Sequence, residues 1–232
     1  MSQTKKLFMC LISLIFLVVL AIPSLSSAAI LDTNELSKDE VDALLSDSAF
    51  YQSEKNVRPA TDAEFRQIAD KVMEKRIENP NAKVDVKEIL SELNLEDIGY
   101  IEEDNFNNSA IISPRFLAVG SVGFSNYTRT TSSFEARAHV NNSIPLTTID
   151  QIAGYFKGYS ILPGATGSVL QFNQYFSELK VPYGITKVTS LKSVPHFGNH
   201  ARMEISAVVY DGGKSTTVSN RAISNPDGTF SQ

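Results

Sequence analysis

A chain of 232 residues, 42% hydrophobic and 20% charged, has room for one ordinary domain plus an extension. Both shares are near globular averages, which excludes wholesale disorder and a polytopic membrane protein. A formal net charge of −5 offers no general footing for nucleic acid, and nucleic acid is not among the expected partners.

The N-terminus "MSQTKKLFMCLISLIFLVVLAIPSLSSAA" sets Lys5 and Lys6 ahead of an apolar run from Leu7 to Ile22, then Pro23 and small residues. These are the parts of a secretory signal peptide. The run is 16 residues long, short against the ~20 that span a bilayer. Cleavage is expected after Ala28 or Ala29, giving a signal peptide over 1–28 and a secreted, extracellular chain. Cys10 is the only cysteine and falls inside that segment. The mature chain is therefore expected to be cysteine-free, without disulfides, a thiolate nucleophile or cysteine metal sites. Export in this style resembles Gram-positive bacterial secretion.

Residues 29–104 hold 20 Asp and Glu against 9 Lys and Arg. Their apolar positions recur at three- and four-residue intervals behind capping residues, the pattern of amphipathic helices. "SKDEVDALL" opens with a Ser37 and Glu40 capping box. "TDAEFRQIADKVMEKRIENP" opens with Thr61 and Glu64, carries the stripe Phe65, Ile68, Ala69, Val72 and Met73, and stops at Asn79-Pro80. In "DVKEILSELN", Asp85 caps a shorter helix with Val86, Ile89, Leu90 and Leu93 on one face.

Residues 105–232 reverse the balance, with 6 acidic against 10 basic residues, and read as strands and turns. "ARMEISAVVYDGGKSTTVSNRA" alternates apolar and polar residues up to Tyr210, turns at Asp211-Gly212-Gly213 and returns from Lys214: a hairpin. Further strands are expected at Phe116 to Phe124, Phe134 to Val140 and Thr186 to Val194. The segment 149–180 is ambiguous. Ile149, Ile152, Ala153 and Phe156, then Val169, Phe172, Phe176 and Leu179, fit helical spacing, whereas Gly154, Gly158 and the aromatics favour strands. Strands are the preferred reading. The fold class expected is mostly β: an antiparallel β-sandwich, Ig-like or an open barrel, over 105–232, preceded by a small acidic helical segment over 29–104. An α+β fold is the alternative.

Chemistry-bearing motifs are scarce. "HFGNH" places His196 and His200 four residues apart, but Pro195 and Gly198 make the segment a loop, where that spacing does not converge two imidazoles. A zinc site needs three or four ligands, so a loop with exposed imidazoles is expected and a metal on His196 and His200 is the minority reading. "DNFNNS" at Asp104 and "SNPDGTF" at Asn225 lack the acidic density of a calcium loop and read as turns. No hydrolase, phosphate-loop or dinucleotide motif is present. A triad assembled from His139, Asp150 and a serine is conceivable, and nothing singles it out. No cofactor is expected.

Arg129, Arg137, Lys187, Lys192 and Arg202 are the candidate contacts to an anionic surface. A cell-wall polymer, a membrane surface or another protein are the partners this composition suggests. The leading expectation is a secreted, non-enzymatic binding or surface-interaction protein. A toxin or bacteriocin-like precursor, with the helices as a removable pro-segment, is the alternative, and a cryptic extracellular hydrolase the third.

Overall fold

A computed structural model describes residues 35–46, 57–102 and 120–231, all within a compact unit that spans Glu35–Gln232. The expected signal peptide and the segment "DNFNNS" lie outside the described residues. Three helices form where the caps predict them: α1 (Lys38–Leu45), α2 (Asp62–Glu78) and α3 (Val86–Glu92). Both capping boxes close, Ser37 with Glu40 and Thr61 with Glu64. The Asp85 carboxylate accepts from Lys87 N–H at 2.9 Å. On α2, Phe65, Ile68 and Val72 are buried. Met73, expected in that stripe, is instead 61% exposed. It lies one residue, ~100° of helix rotation, past Val72 and so leaves the packed face.

The strands in chain order are β1 (Val84–Asp85), β2 (Tyr100–Ile101), β3 (Gly120–Arg129), β4 (Ser133–Asn142), β5 (Thr148–Ile161), β6 (Ala165–Thr166), β7 (Ser168–Pro182), β8 (Thr186–Val188), β9 (Lys192–Pro195), β10 (Ala201–Asp211), β11 (Lys214–Ser224) and β12 (Phe230–Ser231). The fold is mostly β. The larger antiparallel sheet has the order β12-β11-β10-β5-β7-β2, and the smaller has β3-β4-β8, with β9 also pairing β4. β3 packs against β11, so the two sheets curl toward one another on that side. The β10–β11 hairpin turns through Gly212 and Gly213 at φ 55° and 77°, with Asp211 opposite Lys214. Two consecutive positive φ values are what a two-residue primed turn requires, and glycine meets them without Cβ strain.

The segment 149–180 is strand throughout its two long elements, β5 and β7. This agrees with the preferred reading; the helical spacing arose because β5 is buried on both faces. Ile152 and Phe156 face the core between the sheets, while Ala153 and Tyr155 face α1. Covering both faces erases the alternation that marks a half-buried strand. Gly154 lets β10 come close: a Cβ there would stand 2.0 Å from the Ser206 carbonyl oxygen. The strand expected from Thr186 to Val194 is two, β8 and β9. Between them Thr189 Oγ1 accepts from Ala138 N–H at 3.1 Å, and Thr189 N–H donates to Ala138 C=O at 2.9 Å. The hydroxyl substitutes for a ladder acceptor at the break.

Between the sheets lies the main core, with Phe124, Phe134, Ala138, Ile152, Phe156, Met203, Ile205 and Ala207 among its members. The acidic segment builds the other side of the larger sheet. Ile68, Val72, Ile89 and Leu90 of α2 and α3 pack with Leu162 and Val169. β2 pairs with the start of β7, and Ala60 N–H donates to Leu170 C=O at 2.9 Å. α1 lays Val41 and Leu45 on Ala153, Tyr155 and Val208. The Tyr155 hydroxyl donates to Asp42 at 2.6 Å.

Arg58 ties the acidic segment together, bonding Glu64 through Nη2 at 2.7 Å and Asp97 through Nε at 2.6 Å. The Arg58 guanidinium, with help from Thr61, holds the Glu64 carboxyl down to about 2. A carboxylate depressed in the folded state contributes stability that is complete above its unfolded value of 4.5. That contribution is lost as pH falls toward 2, because the unfolded chain takes up the proton first. Denaturant melts between pH 5 and pH 2 should therefore show a shallower acid loss for Glu64→Gln than for the parent chain. Gly154→Ala should lower stability by about 2 kcal/mol in urea, since the obstructing atom is backbone and cannot rotate aside.

Candidate functional site

The end of the sandwich where β3 turns into β4 gathers hydroxyls and exposed rings. The turn is built by Thr130. Its N–H donates to Ser133 C=O at 2.8 Å, and its Oγ1 accepts from Ser132 N–H at 3.3 Å and Ser133 N–H at 2.9 Å. A threonine side chain that bonds forward along its own backbone in this way favours a turn over a continued ladder.

His196 holds the turn from below and is 3% exposed. Its Nδ1 receives Gly198 N–H at 2.9 Å and faces Arg129 Nη2 at 3.1 Å, while Nε2 faces Thr130 C=O at 3.0 Å. Two donors on Nδ1 and a carbonyl on Nε2 require the neutral ring with its hydrogen on Nε2. The expectation of an exposed imidazole is corrected here: both ring nitrogens are committed inside the protein. His200 is half-buried, and its Nδ1 lies 3.1 Å from Asn225 Oδ1. Among the described residues no group of three His, Cys, Asp or Glu side chains is placed to hold a metal ion.

Arg129 extends the network, donating to Ser224 Oγ at 2.8 Å and Asn199 C=O at 2.9 Å. The loop "SNPDGTF" is a turn. Asn225 N–H donates to Thr229 C=O at 2.9 Å, Asp227 accepts from Thr229 N–H at 2.9 Å and from Thr229 Oγ1 at 2.7 Å, and Gly228 takes φ 85°. The Thr229 bonds hold the Asp227 carboxyl below its ordinary range. The turn delivers Phe230 onto Tyr127 and Phe134, with ring centroids 5.4 and 5.7 Å away.

Two open grooves flank the Thr130–Ser132 turn and share Thr131. One, of ≈ 730 Å³, runs between Tyr127, Arg129 and Thr130 on one side and Asp227 and Phe230 on the other. The second, of ≈ 530 Å³, lies between Asp62, Ser132, Ser133, Ser193 and Phe197. Phe197 is half exposed, sits at φ 46° and rests on Phe65 with centroids 5.5 Å apart. A non-glycine residue in the left-handed region is uncommon. Here it turns a phenyl ring out beside Gly198, on a loop pinned by His196.

The sequence-derived cationic residues do not form one surface. Arg129 is used up inside the turn network. Arg202 is 2% exposed, on the helix-covered face of the larger sheet, and bonds Glu204 on its own strand. Lys157 and Arg221 stand opposite Glu204 on the two neighbouring strands. Burial beside Arg221 pushes the Arg202 guanidinium down to about 10. Arg202 is therefore an internal ion and cannot meet a surface from there. Arg137 donates to Thr189 C=O at 3.3 Å, Lys187 is exposed, and the Lys192 ammonium sits 5.7 Å over the Phe172 ring. His139 stacks over Gly123 on the smaller sheet, and burial lowers its pKa. Asp150, on the larger sheet, is held by Lys180 at 2.6 Å and Gly212 N–H at 3.0 Å, so the two are not brought together. Sequence reasoning missed Phe197, Phe230 and the Thr130 turn. The segments "HFGNH" and "SNPDGTF" marked turns, but not that the turns meet.

No protein-family model and no curated protein matches the chain. Among solved structures, E. coli curli protein CsgC aligns at 16% identity with a TM-score of 0.29, covering 44% of this chain and 96% of its own. At that score the likeness carries neither fold nor function across.

His196→Ala should lower stability by about 2 kcal/mol, because Arg129, Gly198 and Thr130 each lose a buried partner. His200→Ala, which removes a half-buried contact to Asn225, should cost about 1 kcal/mol or less. Urea unfolding of the two variants measures the difference.

Proposed function

We propose that this protein is secreted and works outside the cell as a non-enzymatic binding protein, and that the paired grooves around Thr131 take a glycan. Secretion is supported by Lys5 and Lys6, the apolar run from Leu7 to Ile22 and the small residues ending at Ala28. The observation that carries the ligand class is the content of the grooves. Exposed phenyl rings at Phe197 and Phe230 stand among Thr128, Thr130, Thr131, Ser132, Ser133 and Ser193, with a carboxylate in each groove, Asp227 and Asp62.

A pyranose ring offers an apolar C–H face and a rim of hydroxyls. The first stacks on an aromatic face and the second bonds to carboxylates and side-chain hydroxyls, the mixture of apolar lining and placed polar groups that ligand sites use. Two grooves joined at one residue fit consecutive sugar units of a cell-wall polymer. The carboxylates, with Arg129 engaged internally, favour a neutral or amino-sugar chain over a polyphosphate. Binding rather than turnover is favoured because His196, the one imidazole at this end with a fixed tautomer, has both nitrogens occupied. In calorimetry with N-acetylglucosamine oligosaccharides, Phe197→Ala and Phe230→Ala should each weaken binding by about tenfold, with polyglycerol phosphate as the contrast ligand. Equal binding by the parent chain and both variants, or no binding of any oligosaccharide, would reject the reading.

A further inference from the structure

At the far end of β4 from the Thr130 turn, two loops carry apolar side chains outward. Leu146, in "SIPLT", is 101% exposed, and Tyr183 and Ile185, in "PYGIT", are 50% and 46% exposed. The loops are locked to each other. Tyr183 N–H donates to Thr147 C=O at 3.0 Å and Gly184 N–H to Asn142 C=O at 3.1 Å. Asn142 is fully buried. Its Nδ2 donates to Thr147 C=O and Val181 C=O, each at 3.0 Å, and its Oδ1 accepts from Ile144 N–H at 3.0 Å.

Leu146 stands at φ 63°, a conformation that is costly for a leucine. Full exposure returns no packing inside this chain to offset that cost. A strained, solvent-facing apolar residue held by a buried clamp argues for an external contact. Single exposed apolar residues are ordinary, whereas a cluster delivered by two fixed loops is not.

Charge selects the occupant. Neither 143–147 nor 182–188 contains an acidic residue, and Lys187 follows Ile185 by two positions. Lys187 has no carboxylate partner among the described residues. Val188 and Leu191, half exposed, continue the apolar edge along the smaller sheet toward Lys192. The nearest acids in sequence are Asp150, three residues past Thr147, which is already held by Lys180 and Gly212 N–H, and Glu178, four residues before Pro182 and beyond Lys180. We propose that this tip seats peripherally on an anionic lipid bilayer, with Leu146 and Ile185 in the acyl boundary, Tyr183 at the headgroup level and Lys187 on the lipid phosphates. Tyrosine at the interface and lysine at the headgroups are where those side chains are stable. The contact is independent of the glycan reading, since the grooves lie at the other end of β4, ~30 Å away at strand rise.

The test uses residues 29–232, which keep every described residue and omit the apolar run of Leu7 to Ile22. Sedimentation with vesicles containing phosphatidylglycerol should recover the protein, and pure phosphatidylcholine vesicles should recover far less. Leu146→Gly should weaken vesicle binding about fivefold while leaving the melting temperature equal or higher, because glycine relieves the strained φ. Lys187→Glu should weaken binding to the anionic vesicles alone. Absence of vesicle binding, or equal binding by the parent chain and Leu146→Gly, overturns the proposal. So does a lipid-free dimer that Leu146→Gly dissolves, which would make the tip a contact between copies.

Discussion

Everything in this molecule hangs on one requirement: the central strand pair β5 and β10 is buried on both faces and must be covered on both. The smaller sheet covers one face through Phe124, Phe134 and Ala138. On the other face α1 covers Ala153, Tyr155 and Val208 through Val41 and Leu45, α2 and α3 pack Ile68 and Leu90 on Leu162 and Val169, and β2 pairs with β7 at the edge. Short helices are marginal alone in water, and the sheet would expose Ala153, Tyr155, Leu162 and Val169 without them. Each half supplies the surface that the other lacks. The acidic segment is in this sense part of the fold's second layer, which is the physical content of its contacts with β5, β7 and β10.

The same face holds Lys157, Arg202, Glu204 and Arg221 side by side on three strands. Charges buried in this way are expensive unless paired and bonded, and Glu204 meets Arg202 directly. Such a set also fixes register. Sliding β10 by one residue would drive Arg202 and Glu204 into the core beside Phe156 and bring Met203 and Ile205 out among the lysine and arginine side chains. The apolar alternation and the ion cluster thus enforce one pairing between them.

β4 organises function by its two ends. At its start, Thr130 and the buried His196 shape a turn between two grooves, and Arg129 locks that turn to the β10 and β11 ends of the larger sheet. At its finish, Asn142 clamps two loops whose apolar residues face outward. Both ends use the same device, a buried polar side chain whose bonds are all satisfied, to hold exposed residues still. Rigid support of this kind is what lets short surface loops carry binding.

The sequence by itself determined the helices and their caps, the Gly-Gly hairpin, the mostly β character of residues 105–232 and the charge contrast between the halves, because each is written in residues a few positions apart. The strand reading of β5 and β7 agrees with the structure, although burial of β5 on two faces hides its period of two and left a helical spacing open. The sequence misjudged what depends on partners far along the chain. Arg202 looked like a surface cation although it is buried and bonded to Glu204, two residues away, and His196 looked like an exposed loop imidazole although Arg129 and Thr130 arrive from 67 and 66 residues away. Only the tertiary structure decided that Phe197, Phe230 and Thr131 share one end and Leu146, Tyr183 and Ile185 the other. Strand pairing, not local preference, sets which turns become neighbours.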